Sequence, residues 1–138
     1  YLASQGYEPK KFTALASLYK KVAAEINWPS ETKVISLNNN HQNLLKGSYN
    51  CLIHQLKAPI LKIEAISKSL DVEKITNNYF DHEFGLTYID DFLSLTAIEN
   101  LRKFLLGSTI WFEVKNNGYL GAYFTEGLAS PLMIQIAK

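Results

Sequence analysis

The chain has 138 residues, enough for one domain or a small domain with an accessory segment. Its 47% hydrophobic and 20% charged residues suit a folded, soluble polypeptide and argue against disorder. The net charge is only +1, and the tight lysine pairs Lys10-Lys11 and Lys20-Lys21 read as a solvated helix face, not a nucleic-acid patch. A single cysteine, Cys51, makes neither an intrachain disulfide nor a cysteine-based zinc site, so a cytoplasmic setting is expected. No apolar run reaches membrane-spanning length and no signal peptide is visible, so no membrane role is expected.

Residues 1–28 read as a helical segment. Pro9 suits the first helical position, and Phe12, Leu15, Leu18, Tyr19, Val22 and Ile26 recur at helical spacing on one face. Pro29 disfavours helix at Trp28, which predicts an end near Asn27. This would suit the last helix of a repeat array, although the chain has no internal period. Residues 29–85 read as an irregular linker with one short helix. Glu31–Leu37 is a candidate strand, and Asn38, Asn39 and Asn40 predict a turn or loop. Leu44, Leu45, Tyr49, Leu52, Ile53, Ile60, Leu61 and Ile63 are expected to pack this arm onto other elements. Asp71 is the expected N-cap of a helix over Val72–Phe80.

Residues 86–138 carry the strongest signals, and their expected order is strand, helix, β-hairpin. Leu86–Phe92 reads as a strand. Ser94 and Thr96 compete to cap the next helix, Thr96 with Glu99 three residues on. Ile98, Leu101 and Leu105 form its apolar face, and Gly107 is expected to close it. Thr109–Lys115 alternates as a strand does, and Asn117-Gly118 is a strong hairpin signal. A two-residue loop there sets Phe112 opposite Tyr123, Trp111 opposite Phe124 and Gly121 opposite Val114. The gap at Gly121 makes Trp111, Tyr119, Gly121 and Tyr123 the candidate ligand-facing residues, against a plain packing role. Ser130 and Pro131 open a last helix. The fold class expected is therefore α+β.

No complete catalytic set appears. His41, His54 and His82 show neither His-x-carboxylate nor His-Glu-x-x-His spacing. His41 and His54 read as polar surface. His82, between Asp81 and Glu83, is a metal candidate, but three consecutive loop residues do not all face one ion. Asp90 and Asp91 would point to opposite faces of a strand, and nothing around Cys51 marks it as a nucleophile. No residue is therefore read as catalytic, cofactor-binding or metal-ligating.

Ile89–Ser94, Ser108–Phe112 and Gly118–Tyr123, in this order around a helix, resemble the start of an iron(II)/2-oxoglutarate-dependent dioxygenase domain. The similarity is to the prolyl-hydroxylase-like bacterial group often found behind tetratricopeptide repeats, and Gly47–Asn50 and Leu70–Val72 resemble its linker. The resemblance implies a double-stranded β-helix, of which residues 86–138 would be the beginning. It also implies Fe(II) and 2-oxoglutarate for the parent protein, held by a His-x-Asp, a distal His and a basic residue. Those residues would follow the helix at Ser130, so none is assigned to a position here, and the chain is expected to be an inactive fragment of a hydroxylase. Its start at Tyr1 and its stop inside PLMIQIAK read as a piece of a longer protein. The alternative is a non-catalytic protein–protein interaction module. The first reading implies a protein or small-molecule substrate for the parent, the second a partner protein, and open strand edges would permit oligomerisation.

Overall fold

The computed structural model describes residues 1–31, 35–115 and 118–138. Five helices are seen among them: α1 Pro9–Glu25, α2 Asn39–Leu45, α3 Val72–Asp81, α4 Leu95–Gly107 and α5 Pro131–Ile136. Strands β1 Glu113–Val114 and β2 Leu120–Gly121 pair as a two-stranded antiparallel sheet, followed by a 3-10 turn at Phe124–Glu126. The class is α+β, rich in helix. None of the described helices is long and apolar enough to cross a membrane. The chain forms two units, residues 1–56 with 105–128 and residues 57–104 with 129–138.

In the first unit, α1 starts at Pro9 and buries Val22, with Phe12, Leu15, Leu18, Tyr19 and Ile26 half-buried beside it, the face that the periodicity predicts. The helix ends two residues earlier than expected. The Trp28 indole N–H turns back and donates to the Ala23 carbonyl at 2.9 Å, satisfying a group that the helix end leaves free. The asparagine run is not a loop. Asn38 accepts from the His41 amide at 2.8 Å and so caps α2, which buries His41 and Leu45. The candidate strand at Glu31–Leu37 lies partly outside the described residues, and residues 35–37 are not in a strand.

Residues 53–56 run extended but join no sheet. One backbone bond holds them, from the Thr109 amide to the His54 carbonyl at 2.8 Å, and side chains add to it. The Thr109 hydroxyl accepts from the Ile53 and His54 amides at 3.0 and 2.8 Å and donates to the His54 carbonyl at 3.0 Å. Ser108 Oγ accepts from the Leu56 amide at 3.0 Å. These bonds satisfy part-buried backbone groups that would otherwise be costly to leave unpaired. Gly107 is the last residue of α4 and has no left-handed φ. Its role is close packing, because a β-carbon there would collide with Leu56 Cδ1.

The hairpin register differs from the expected one by one residue. Glu113 faces Gly121 and Val114 faces Leu120. The Gly118 amide donates to the Lys115 carbonyl at 2.9 Å, and the Lys115 amide donates to the Tyr119 carbonyl at 2.9 Å. Lys115 and Tyr119 therefore extend the pairing, and Gly118 sits at φ 81°, a left-handed position that favours glycine. Asn117 of the expected two-residue turn lies outside the described residues. Regular pairing is also shorter than the alternation in Thr109–Lys115 predicts, since residues 109–112 make no strand.

In the second unit, Asp71 caps α3 by accepting from the Lys74 amide at 2.9 Å. The expected strand Leu86–Phe92 is absent. What remains is a single antiparallel bridge, Ile66 with Leu93, because Asp91 turns the backbone at φ 52° just before it. Ser94, not Thr96, caps α4: its Oγ accepts from the Ala97 amide at 3.3 Å. The helix buries Ala97 and Phe104, while Ile98, Leu101 and Leu105 are only half-buried. Ser130 caps α5 as expected. Gln135 of α5 then clamps the extended arm: Oε1 accepts from the Leu61 amide at 2.8 Å, and Nε2 donates to the Leu61 and Ile63 carbonyls at 3.1 Å. Ala58, Leu61, Ala65 and Leu132 complete this core. Of the arm residues expected to pack, Leu45 and Leu61 do so and Ile53 is half-buried, whereas Leu44, Tyr49, Leu52, Ile60 and Ile63 stay exposed.

Candidate functional site

The apolar face of α1 has a second use. Phe12, Leu15 and Tyr19 form one wall of an open groove of about 430 Å³ within the first unit. The opposite wall comes from the hairpin and its lead-in: Trp111, Phe112, Val114 and Leu120. Val114 and Leu120 are cross-strand partners, so the one-residue shift in register sets both on the same face. Polar groups are few. Tyr19 Oη and Ser48 Oγ lie 3.1 Å apart in a hydrogen bond, and Cys51 and Thr109 also contribute to the lining. This composition of apolar and aromatic walls with sparse polar groups makes the groove the candidate site.

The four candidate residues from the sequence separate in space. Trp111 lines the groove, and its indole N–H donates to the Leu105 carbonyl at 3.0 Å, which fixes the ring. Tyr119, Gly121 and Tyr123 do not line it. The gap expected at Gly121 is filled by the chain itself, because a β-carbon there would meet Lys115 Cε and the Tyr123 ring at 3.1 Å. Lys115 Nζ is 4.3 Å from the centre of that ring and is paired with Glu113. The Glu113 carboxylate, with Tyr123 adding to it, pushes the Lys115 ammonium pKa up. This cluster is a self-satisfied lock on the hairpin and has no vacancy for a ligand.

His41 and His54 are not polar surface. His41 is buried, and its Nε2 is 2.9 Å from Glu25 Oε2, which joins α2 to α1. The hydrogen bond from His41 holds the Glu25 carboxyl below its ordinary value of 4.5. His54 is held between the rings of Tyr7 and Phe12, each centred 5.6 Å away. Its Nδ1 is 3.1 Å from Glu8 Oε1, and its buried Nε2 has no hydrogen-bond partner among the described residues. Lys11, and less strongly His54, hold the Glu8 carboxyl low, and Lys11 Nζ also donates to the Ile53 carbonyl at 3.1 Å. Glu8 sits at φ 36°, so these contacts anchor a left-handed residue at the start of α1. Sequence spacing carries no sign of the two histidine–carboxylate pairs, since each joins residues more than a dozen positions apart.

His82 lies exposed after α3, and its Nδ1 accepts from the Phe84 amide at 3.2 Å. Among the described residues no three His, Cys, Asp or Glu side chains gather where a metal ion could be held. No family model, no curated protein and no solved structure matches the chain.

Proposed function

We propose that the chain is a protein-binding module that takes an apolar polypeptide segment in the groove of its first unit. The observation that carries this reading is the groove itself, lined mainly by apolar and aromatic side chains and open to solvent. Small-molecule sites bury most of their ligand. An open groove instead suits an occupant that brings its own cover, as a segment of a protein does. Val114 and Leu120 are 54% and 53% exposed, so they can be replaced without emptying a core. Peptides selected from a random display library against the immobilised chain should be apolar. Val114→Asp and Leu120→Asp should each weaken them roughly tenfold, the effect of losing one contact worth about 1.4 kcal/mol. A selection that yields no peptide, or peptides indifferent to both substitutions, would sink the reading.

A second reading rests on the similarity of residues 89–94, 108–112 and 118–123 to a dioxygenase domain. On it, the chain is the opening portion of a prolyl-hydroxylase-like protein that acts on a protein or small-molecule substrate, with residues 1–28 closing a helical repeat. One structural feature favours it: α4 leads into an antiparallel hairpin whose Trp111, Val114 and Leu120 lie open, as they would if the strands of a double-stranded β-helix were to cover them. Fe(II) with 2-oxoglutarate would supply the oxidation in the parent protein, and this chain would supply outer support. The test is succinate formation from 2-oxoglutarate, by the chain alone and by a polypeptide extended with whatever is encoded after Lys138. The expected result is turnover only by the extended form, and only if it carries His-x-Asp, a later His and a basic residue. Turnover by the chain alone, or an extension without those residues, overturns this reading.

A further inference from the structure

Residues 71–91 of the second unit concentrate negative charge. Asp71, Glu73, Asp81, Glu83, Asp90 and Asp91 stand against one cation, Lys74, a net of −5 in a chain whose total is +1. Among the described residues no Lys, Arg or His pairs with Glu73, Asp81, Glu83, Asp90 or Asp91. The same stretch leaves large apolar side chains in water: Phe80, Phe84, Leu86 and Tyr88 are 77, 81, 64 and 85% exposed. α3 is amphipathic, yet it buries none of its residues. A groove of about 290 Å³ runs between α3, at Asp71, Lys74 and Ile75, and the segment Tyr88–Asp91. Carboxylates without cations and aromatics without cover therefore share one stretch of chain, of which Asp71, Tyr88, Asp90 and Asp91 line the groove. Uncovered apolar surface of this kind marks interaction sites.

We propose that residues 71–91 form a docking surface for a basic, apolar-faced segment of a partner protein. The charge sets the occupant. Cationic side chains of the partner meet the unpaired carboxylates, and the Tyr88 ring offers a face to a guanidinium or ammonium group. Phe80, Phe84 and Leu86 receive its aliphatic side chains. Nucleic acid and anionic membrane surfaces are repelled by the same charge. The proposal does not depend on the groove of the first unit, which involves other residues.

The probe is a synthetic Arg/Leu peptide with helical amphipathic spacing, compared with an Arg/Ser and a Glu/Leu peptide of the same length by fluorescence anisotropy. The Arg/Leu peptide should bind, more tightly at low salt, with the Arg/Ser peptide roughly tenfold weaker and the Glu/Leu peptide inert. Asp90→Asn with Asp91→Asn, and separately Phe84→Ser, should each weaken Arg/Leu binding severalfold, while Glu99→Gln, at an exposed carboxylate outside this stretch, leaves it unchanged. All these side chains are exposed, and circular dichroism checks that each variant keeps its helices. Equal binding of the Arg/Ser peptide would reduce the effect to counter-charge attraction and overturn the proposal, as would binding indifferent to the variants. A salt-sensitive dimer of the chain, abolished by the same variants, would assign the surface to a second copy and overturn the partner named here.

Discussion

Each unit contains extended backbone that has no strand to pair with, and the two handle it with different side chains. In the first, the hydroxyls of Thr109 and Ser108 satisfy residues 53–56. In the second, the amide of Gln135 satisfies residues 61–63. The units differ more in how they treat apolar surface. The first sets its longest helix against the rest of the unit, with one stripe buried or half-buried. The second concentrates its core on Phe104 and Leu132 and leaves α3 and the following aromatics uncovered. An amphipathic helix gains most of its stability from packing its apolar face. α1 has that support within its own unit and α3 does not.

The largest expected effects come from the two cores. Phe104→Ala in the second unit should cost about 3–5 kcal/mol and Ile110→Ala in the first about 2–5 kcal/mol, because both side chains are fully buried. Hydrogen exchange on each variant sharpens the comparison: amides should lose protection first in the unit that carries the substitution. A uniform loss from both variants would show that the units unfold as one.

The clamps come next. Thr109→Val keeps the shape but strands the Ile53 and His54 amides, and Gln135→Met strands the Leu61 amide. Each should cost about 1–3 kcal/mol in urea unfolding, the range for leaving buried polar groups unpaired. If both prove neutral, water satisfies those amides and the side chains are not substitutes for strands.

The smallest effect is a pH dependence confined to the first unit. The folded Glu25 carboxyl titrates below 4.5, its ordinary value, because His41 donates to it. A lowered carboxylate pKa adds stability that is present above the unfolded value and is lost as pH falls through the folded one. Stability should therefore drop as pH falls from 4.5, and Glu25→Gln should flatten that part of the profile. An unchanged slope in the variant would show that the Glu25–His41 pair does not couple α2 to α1.

Local chemistry was legible wherever neighbouring residues settle the outcome. The stripe Phe12–Ile26, the proline that opens α1, the Asp71 and Ser130 caps and the existence of a turn at Gly118 all follow from contacts within a few positions. Signals that need a distant partner did not suffice. Leu86–Phe92 has the composition of a strand, but a strand needs a second one alongside, and only the Ile66–Leu93 bridge formed. Gly107 looked like a cap and is instead a contact with Leu56. The hairpin register turned on one residue of loop length, which moved Val114 and Leu120 onto the groove and left Gly121 covered by Lys115 and Tyr123. Burial of His41 and His54 depended on carboxylates that only folding brings near. The sequence by itself determined where helices begin and which faces are apolar, because those choices are made within a turn of backbone. Tertiary structure decided which of those faces is covered, since burial is a property of two surfaces and one stretch of chain specifies only its own.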